Sequence, residues 1–218
     1  LTYEAVSAAN PGIIYVSMPG HGQTGPDKDF VAYGSNVEQL AGLVSLSGYE
    51  GGEPMKTGFS YGDPMAGTAL VGAVAMALRQ RNRTGKGCYL ELAQRENLTM
   101  FVGEHIVDYS MNREERPPIG NRHPFLAPHN RFPSAGDDRW LVVSCESDSQ
   151  FAGLAAAMGM PELATDERFA TNAARKSNED ELDAIIGGWS SVRGHYEAMH
   201  LLQQRGVPAG AVLTAPEL

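Results

Sequence analysis

One aspartate stands out among the residues whose type and position could do chemistry. Asp63 lies in the run Gly62-Asp63-Pro64-Met65-Ala66-Gly67, directly before a long apolar stretch that predicts a helix. An aspartate at that point either caps the helix or acts as a covalent nucleophile. The two flanking glycines would let a ligand approach closely, and free amides at a helix start can stabilise an oxyanion. Spacing alone leaves both interpretations open.

Other kinds of catalytic site are poorly represented. The loop Gly20-His21-Gly22-Gln23-Thr24-Gly25 follows a predicted strand, but no Gly-Lys-Ser/Thr follows it, so it is not a phosphate-binding P-loop. The six histidines and two cysteines show no metal-ligand spacing, and we predict no metal site.

The first half of the chain has the alternation of an α/β domain. A helix is predicted at 1–9, and the β-branched and apolar run 13–18 after it predicts a buried parallel strand. Apolar residues at helical spacing predict a helix at about 35–46, and the stretch from Asp63 to Gln80 predicts a helix that is apolar all round and therefore buried. A strand at 88–92 and a helix at 94–110 complete this part.

The second half predicts a smaller α+β domain. Strands are expected at 140–145 and 207–212, and helices near 149–158, 177–188 and 194–204. The proline-rich, polar stretch between the two halves is typical of a linker. The predicted organisation is therefore 1–110 as part of a large α/β domain, 111–138 as linker, and 139–218 as an incomplete small domain.

Composition narrows the class of protein. The 218 residues are 42% hydrophobic with a formal net charge of −9, and a chain without a basic stripe argues against nucleic-acid binding. Cys88 and Cys145 are interpreted as small core residues, which favours a reducing, cytoplasmic location. The sequence contains no apolar run long enough for a membrane span. The sequences at both ends resemble the interior of a domain, so we expect the chain to be a piece of a longer protein.

Several segments, in order along the chain, resemble CoA-transferase family III, the group that includes formyl-CoA transferase, carnitine CoA-transferase and α-methylacyl-CoA racemase. The segments that carry the resemblance are Asn10–Tyr15, Gly20–Pro26, Leu40–Leu43, Gly62-Asp63, Arg83–Gly87, Gly136–Trp140 and Arg205–Ala209. One such motif is weak evidence, whereas this many in the right order are specific. The resemblance covers the whole chain.

The resemblance implies a fold and a mechanism. The fold would be part of a Rossmann-like large domain followed by a small α+β domain, in a protein that forms interlocked homodimers. The substrates would be an acyl-CoA and a carboxylic acid, with coenzyme A moving between them. The family's catalytic aspartate falls on Asp63, which would form first an acyl anhydride and then a CoA thioester. The family segment that lies along CoA falls on Val31, Ala32, Tyr33 and Gly34.

Two alternatives stay open. The racemase branch of the family uses a histidine where this chain has Tyr33. A tyrosine, with a pKa near ~10, moves protons poorly at neutral pH, so transfer is favoured over racemisation. The other alternative is a non-catalytic chain that binds acyl-CoA. The acids are not identified: the chain has no run of four glycines, and Arg122, His123 and His129 could either bind a carboxylate or form a solvated loop.

Overall fold

The computed structural model describes residues 2–218, which divide into two compact units after Gly120. Leu1, the first residue of the predicted N-terminal helix, lies outside the described residues. The stretch 111–138, predicted as a linker, extends across this division and contains a strand at His129–Pro133. That strand forms because residues 129–133 pair with a neighbouring strand, which overrides the turn-forming composition around it.

The first unit contains six helices and two strands within the described residues. In chain order they are α1 (Tyr3–Ala9), β1 (Ile14–Ser17), α2 (Gly34–Leu40), α3 (Leu43–Leu46), α4 (Gly62–Thr84), β2 (Cys88–Glu91), α5 (Gln94–Thr99) and α6 (Gly103–Asn112). A short 3-10 turn, Met100–Val102, separates α5 from α6, so the single helix predicted at 94–110 is divided.

Strands β1 and β2 pair in parallel, with Ile14 opposite Cys88 and Ser17 opposite Glu91. Gly85 ends α4 in a left-handed conformation, and its N–H donates to the Arg81 carbonyl. A side chain at Gly87 would collide with the backbone of Ile13, so only glycine lets β2 begin beside β1. The α/β prediction for this part is confirmed, while the larger Rossmann-like sheet stays a prediction.

The helix predicted at 35–46 is broken in two. Gly42 adopts a φ of +89°, a left-handed conformation that no continuous α-helix contains. The spacing of apolar residues continued through this break, and for that reason the prediction missed it. The break places Val37 and Ala41 of the α2 segment against Leu98 of α5, and these three form the buried cluster of the unit.

Helix α4 is not buried all round, and that prediction was wrong. Ala66, Leu70 and Ala77 are buried, but Val71 and Met76 are 71% and 69% exposed. Within the described residues, other elements pack on only one side of α4. Strand β1 also has an exposed apolar side chain, that of Val16. Apolar composition therefore predicted the helix correctly but not what covers it.

The second unit is α+β, as predicted. Its elements are β3 (His129–Pro133), β4 (Trp140–Ser144), α7 (Asp148–Met158), α8 (Asn172–Ser177), α9 (Glu179–Ser190), α10 (His195–Gln203) and β5 (Ala209–Ala211). The three strands form an antiparallel sheet in the order β3-β4-β5. Residues from the sheet and from α7, α9 and α10 share one core, including Leu141, Phe151, Ile186 and Leu202.

Cys88 and Cys145 are free thiols. Cys145 is fully buried in the core of the second unit, where burial raises the pKa of the thiol to about 12. Cys88 is only partly buried, so the interpretation as a core residue holds for Cys145 alone. No helix among residues 2–218 combines the length and the apolar character that crossing a bilayer requires.

Candidate active site

Asp63 lies in the first turn of α4, with its side chain exposed. Its carboxylate makes no hydrogen bond or ion pair with any of the described residues. Its backbone N–H donates to the Ser60 carbonyl oxygen at 3.2 Å. Tyr61, not Asp63, occupies the N-cap position, so the capping role considered for Asp63 is not the one observed. The carboxylate is therefore available to react with a ligand.

The backbone amides at the start of α4 are mostly occupied. The Tyr61 N–H donates to a Glu38 carboxylate oxygen at 2.7 Å, the Asp63 N–H is used as described above, and Pro64 has no N–H. Among the described residues, Gly62 is the one residue of positions 61–64 whose N–H has no hydrogen-bond acceptor. One free amide therefore lies beside Asp63, fewer than the helix start was expected to offer.

The two glycines near Asp63, Gly62 and Gly67, differ in how much space surrounds them. A Cβ on Gly62 would lie 3.2 Å from Cγ1 of Val37, so this glycine lets the start of α4 pack closely on α2. A Cβ on Gly67 would meet nothing within 4 Å. Room for a ligand, inferred from both glycines, is therefore found at Gly67 but not at Gly62.

The segment from Val31 to Gly34 lies beside the loop that leads into α4. A Cβ on Gly34 would come within 2.0 Å of Cβ and Oγ of Ser60, so the two backbones are in close contact. Asn36 holds the segment in place: its Oδ1 accepts from the Tyr33 N–H at 2.8 Å, and its Nδ2 donates to the Val31 carbonyl at 3.1 Å. The structure thus brings this predicted segment next to the residues that precede Asp63.

Side-chain exposure alternates along the same segment. Val31 and Tyr33 are each 71% exposed, while Ala32 packs against the unit's core cluster. A Cβ on Gly20 would lie 2.0 Å from the Cβ of Ala32, so the glycine-rich loop after β1 contacts this segment as well. An exposed edge flanked by such close backbone contacts can receive an extended ligand without rearranging.

The glycine-rich loop is fixed by hydrogen bonds that it accepts from α5 and donates to β2. The N–H groups of Gln94 and Arg95 donate to the carbonyls of Pro19 and Gly20, each at 3.0 Å. The N–H of Gln23 donates to a Glu91 carboxylate oxygen at 2.6 Å. The loop lies at the carboxyl end of β1, where α/β sheets bind ligands.

Glu38 of α2 is the residue of this region that sequence reasoning missed. Its side chain is 1% exposed, yet its carboxylate accepts hydrogen bonds from the loop before α4. The available signal was an acidic residue directly beside Val37 on the apolar face of a predicted helix. A charge at such a position is rare unless it has partners.

Arg122 and His129, two of the residues considered for carboxylate binding, have partners within the second unit. Arg122 pairs with Asp180 at 2.5 Å and with Asp183 at 3.0 Å, and these interactions raise the pKa of the guanidinium. Nδ1 of His129 lies 2.9 Å from the Ser144 hydroxyl. Among the described residues, no group of three or more His, Cys, Asp or Glu side chains is arranged to hold a metal ion.

Comparison with known proteins decides the family. The family model described as CoA-transferase family III matches residues 1–218. The chain belongs to CoA-transferase family III. The resemblance carried by the sequence motifs is confirmed.

Curated members of CoA-transferase family III match along the whole chain. The chain is 37% identical over 218 residues to a succinyl-CoA–D-citramalate CoA-transferase of Chloroflexus aurantiacus, and it covers 54% of that protein. It is 33% identical over 216 residues to an acetyl-CoA:oxalate CoA-transferase of Acetobacter aceti, covering 99% of the chain and 55% of the relative. The chain therefore spans about half the length of these family members.

A solved structure shares the fold. A CAIB/BAIF family protein from Brucella suis superposes with a TM-score of 0.86 at 32% identity, covering all of this chain and 57% of that one. The mixed α/β architecture described above is therefore that of a known structure.

Proposed function

We propose that the complete protein transfers coenzyme A from an acyl-CoA to a carboxylic acid through covalent intermediates on Asp63. The observation that carries the proposal is an exposed carboxylate, without any hydrogen bond to the described residues, at the start of a helix in a chain that belongs to CoA-transferase family III. A carboxylate is a competent nucleophile towards activated acyl groups when it is held beside them.

The first half of the reaction moves CoA onto the enzyme. A carboxylate oxygen of Asp63 attacks the thioester carbonyl carbon, the C–S bond breaks, and CoA leaves as a thiolate while a mixed anhydride forms. The thiolate then attacks the Asp63 carbonyl carbon of the anhydride. This forms an aspartyl-CoA thioester and releases the donor acid as its carboxylate.

The second half reverses these steps with a different acid. The acceptor carboxylate attacks the aspartyl thioester, which gives a new mixed anhydride and a CoA thiolate. The thiolate attacks the acceptor's carbonyl carbon, forms the new acyl-CoA and regenerates the Asp63 carboxylate. Every nucleophile and leaving group is an anion, so no step needs a proton transfer.

The residue at position 33 favours CoA transfer, which needs no proton transfer, over racemisation, which does. A racemase must remove and return an α-proton, which requires a group with a pKa near neutrality. The position that the racemase branch fills with histidine is Tyr33, which is 71% exposed. The relatives reported above are also transferases by name.

The remaining parts of the family picture belong to the same proposal. We place CoA along Val31, Ala32, Tyr33 and Gly34, because this segment is partly exposed and touches the loop before Asp63. The complete protein would add a Rossmann-like portion to the first unit and act as an interlocked homodimer in the cytoplasm. The predicted division into a large domain, 1–110, a linker, 111–138, and a small domain, 139–218, is part of this picture.

Covalent trapping tests the proposal. The complete protein is incubated with succinyl-CoA or acetyl-CoA, the donors named for the two relatives. Neutral hydroxylamine then converts any aspartyl thioester or anhydride to a hydroxamate, and tryptic peptides are weighed. The peptide Thr57–Arg79 contains Asp63 as its one carboxylate side chain. We expect a hydroxamate on this peptide only when an acyl-CoA is present.

Asp63→Asn and Glu96→Gln serve as the variant and its control. Asp63→Asn should give no hydroxamate and lower CoA transfer by about a thousandfold or more, because it removes the nucleophile. Its free energy of unfolding should change by less than about 0.5 kcal/mol, since the side chain is exposed and unbonded. Glu96 is an exposed carboxylate on α5, and its variant should keep the hydroxamate.

Two outcomes would contradict the proposal. Exchange of deuterium into the α-carbon of the acyl-CoA, without a hydroxamate, would identify a racemase. The absence of both signals, with acyl-CoA still bound, would identify a non-catalytic binding protein.

A further inference from the structure

Glu38 is a buried carboxylate that binds three donors of one loop. Its Oε2 accepts from the Thr57 N–H at 3.1 Å. Its Oε1 accepts from the Thr57 hydroxyl at 2.8 Å and from the Tyr61 N–H at 2.7 Å. Hydrogen bonds to an ionised acceptor are stronger than neutral ones, and a buried charge lost from such a set leaves its donors unpaired.

The three hydrogen bonds fix both ends of a short segment. Thr57 and Tyr61 bracket residues 58–60, and the single proton of the Thr57 hydroxyl is shared between Glu38 Oε1 and the Phe59 carbonyl oxygen within that segment. Tyr61 is the N-cap of α4, and Asp63 follows two residues later. The same segment contains Ser60, whose carbonyl accepts from the Asp63 N–H and whose side chain contacts Gly34.

Besides Glu38, the Tyr61 ring holds the end of the segment: it packs against the core cluster and lies 5.5 Å from the ring of Phe59 and 6.4 Å from that of Phe101. Phe59 and Ser60 are exposed, and Gly58 has open space around it. The one buried side chain that reaches the segment by hydrogen bonds is therefore Glu38, within the residues that the structure describes. Glu38 therefore supplies the side-chain hydrogen bonds that tie the loop before Asp63 to α2.

We propose that Glu38 is a positioning residue for the reaction: through Thr57 and Tyr61 it fixes the loop that orients Asp63 towards the acyl-CoA carbonyl. This inference rests on the proposed function of Asp63. Glu38 contacts no reacting atom, and its effect passes through the backbone of 57–61. Misplacement of a nucleophile by about 1 Å can cost on the order of a hundredfold in rate.

Glutamine is an informative replacement because it keeps the size of the side chain. An amide offers one oxygen acceptor, and its NH₂ group would face a donor where Glu38 has its second oxygen. Glu38→Gln should therefore keep part of the hydrogen-bond set and Glu38→Ala none. Glu217 provides a matched control, since its carboxylate also accepts from a threonine N–H and hydroxyl, those of Thr214, at 2.8 and 2.6 Å.

The test measures the rate at which the hydroxamate-trappable adduct forms on Asp63 in a single turnover, using the complete protein and saturating succinyl-CoA or acetyl-CoA. We expect the rate to fall about tenfold in Glu38→Gln and about a hundredfold in Glu38→Ala. The acyl-CoA concentration for half-maximal rate should stay within about twofold, because the CoA-binding surface is unchanged. Hydrogen exchange of the peptide that spans 57–61 should be faster in both variants.

Stability is separated from positioning by two controls. Val102→Ala truncates another buried residue of the same unit and should lower the melting temperature without lowering the rate of the folded enzyme. Glu217→Gln should leave the rate unchanged. If Glu38→Ala does not fold, Glu38→Gln still decides the matter.

The outcomes distinguish the two proposals. A hydroxamate in the wild type, with an unchanged rate in Glu38→Gln, would overturn the role of Glu38 and leave that of Asp63 intact. No hydroxamate in the wild type would overturn the function of Asp63, and the positioning role would fall with it. A rate loss equalled by Val102→Ala at the same loss of melting temperature would assign Glu38 a purely structural role.

Discussion

At the scale of single residues, the burial and hydrogen bonding of two carboxylates, Asp63 and Glu38, indicate different roles. Asp63 is exposed and has no partner among the described residues, whereas Glu38 is buried and fully engaged. Two carboxylates of one unit therefore have opposite environments. Asp63 is accessible for a covalent reaction with a ligand, whereas Glu38 can only accept hydrogen bonds from the residues around it.

His129 gives a pH-dependent prediction at the same scale. Burial, followed by the nearby His123, lowers the pKa of His129 below 6.5, with Lys176 acting in the same direction and Glu179 in the opposite one. The unfolded chain then binds more protons than the folded one between the two pKa values. Stability contributed by neutral His129 should be complete above about pH 6.5 and be lost as the pH falls below it.

The measurement compares urea midpoints of the complete protein and of His129→Gln between about pH 5 and 8. The midpoint of the wild type should fall relative to that of the variant as the pH drops, because glutamine does not titrate. A difference that is independent of pH would show that His129 keeps an ordinary pKa.

At the scale of elements, the left-handed glycine between α2 and α3 is the feature on which the core of the first unit depends. Gly42 has a φ of +89°, and an alanine there would be strained whatever space surrounds it. Gly42→Ala should lower the free energy of unfolding by about 1 kcal/mol. Gly103 is the matched control, because its φ and ψ of −59° and −39° are helical and a Cβ added there would meet no atom within 4 Å.

Gly103→Ala should raise stability by about 0.5–1 kcal/mol, because alanine favours a helix and restricts the unfolded chain. Both variants would be compared with the wild type by chemical denaturation of the complete protein. Equal effects from the two substitutions would show that the backbone conformation at Gly42 is not a constraint.

Elements that depend on local sequence were predictable here. The strands β1 and β2 were predicted from two short apolar runs on either side of a long helix, and the structure adds that they pair with each other. The break at Gly42 was missed because apolar spacing continued through it. The role of Glu38 could not be predicted, since its partners lie 19 and 23 residues away in the sequence and only the folded backbone brings them together.

At the scale of the whole chain, the two units differ in how much core they bury. Among residues 2–218, the main cluster of the second unit contains 16 buried residues, contributed mostly by its sheet and three of its helices, while the buried cluster of the first unit contains three. The first unit also exposes large apolar side chains, among them Val71, Met76, Met100 and Met111. Exposed apolar surface on this scale is typical of a face that other residues cover.

This difference predicts unequal behaviour of the two units as separate fragments. A fragment of residues 121–218 should unfold cooperatively in urea, because it carries its own core of sheet and helices. A fragment of residues 1–120 should aggregate or bind a dye specific for exposed apolar surface, since the covering residues would have to come from the rest of the complete protein. Circular dichroism and light scattering of the two fragments make the comparison. A cooperative transition in 1–120 alone, without dye binding, would show that the exposed face of α4 needs no cover, and it would remove the reason for expecting further chain to pack there.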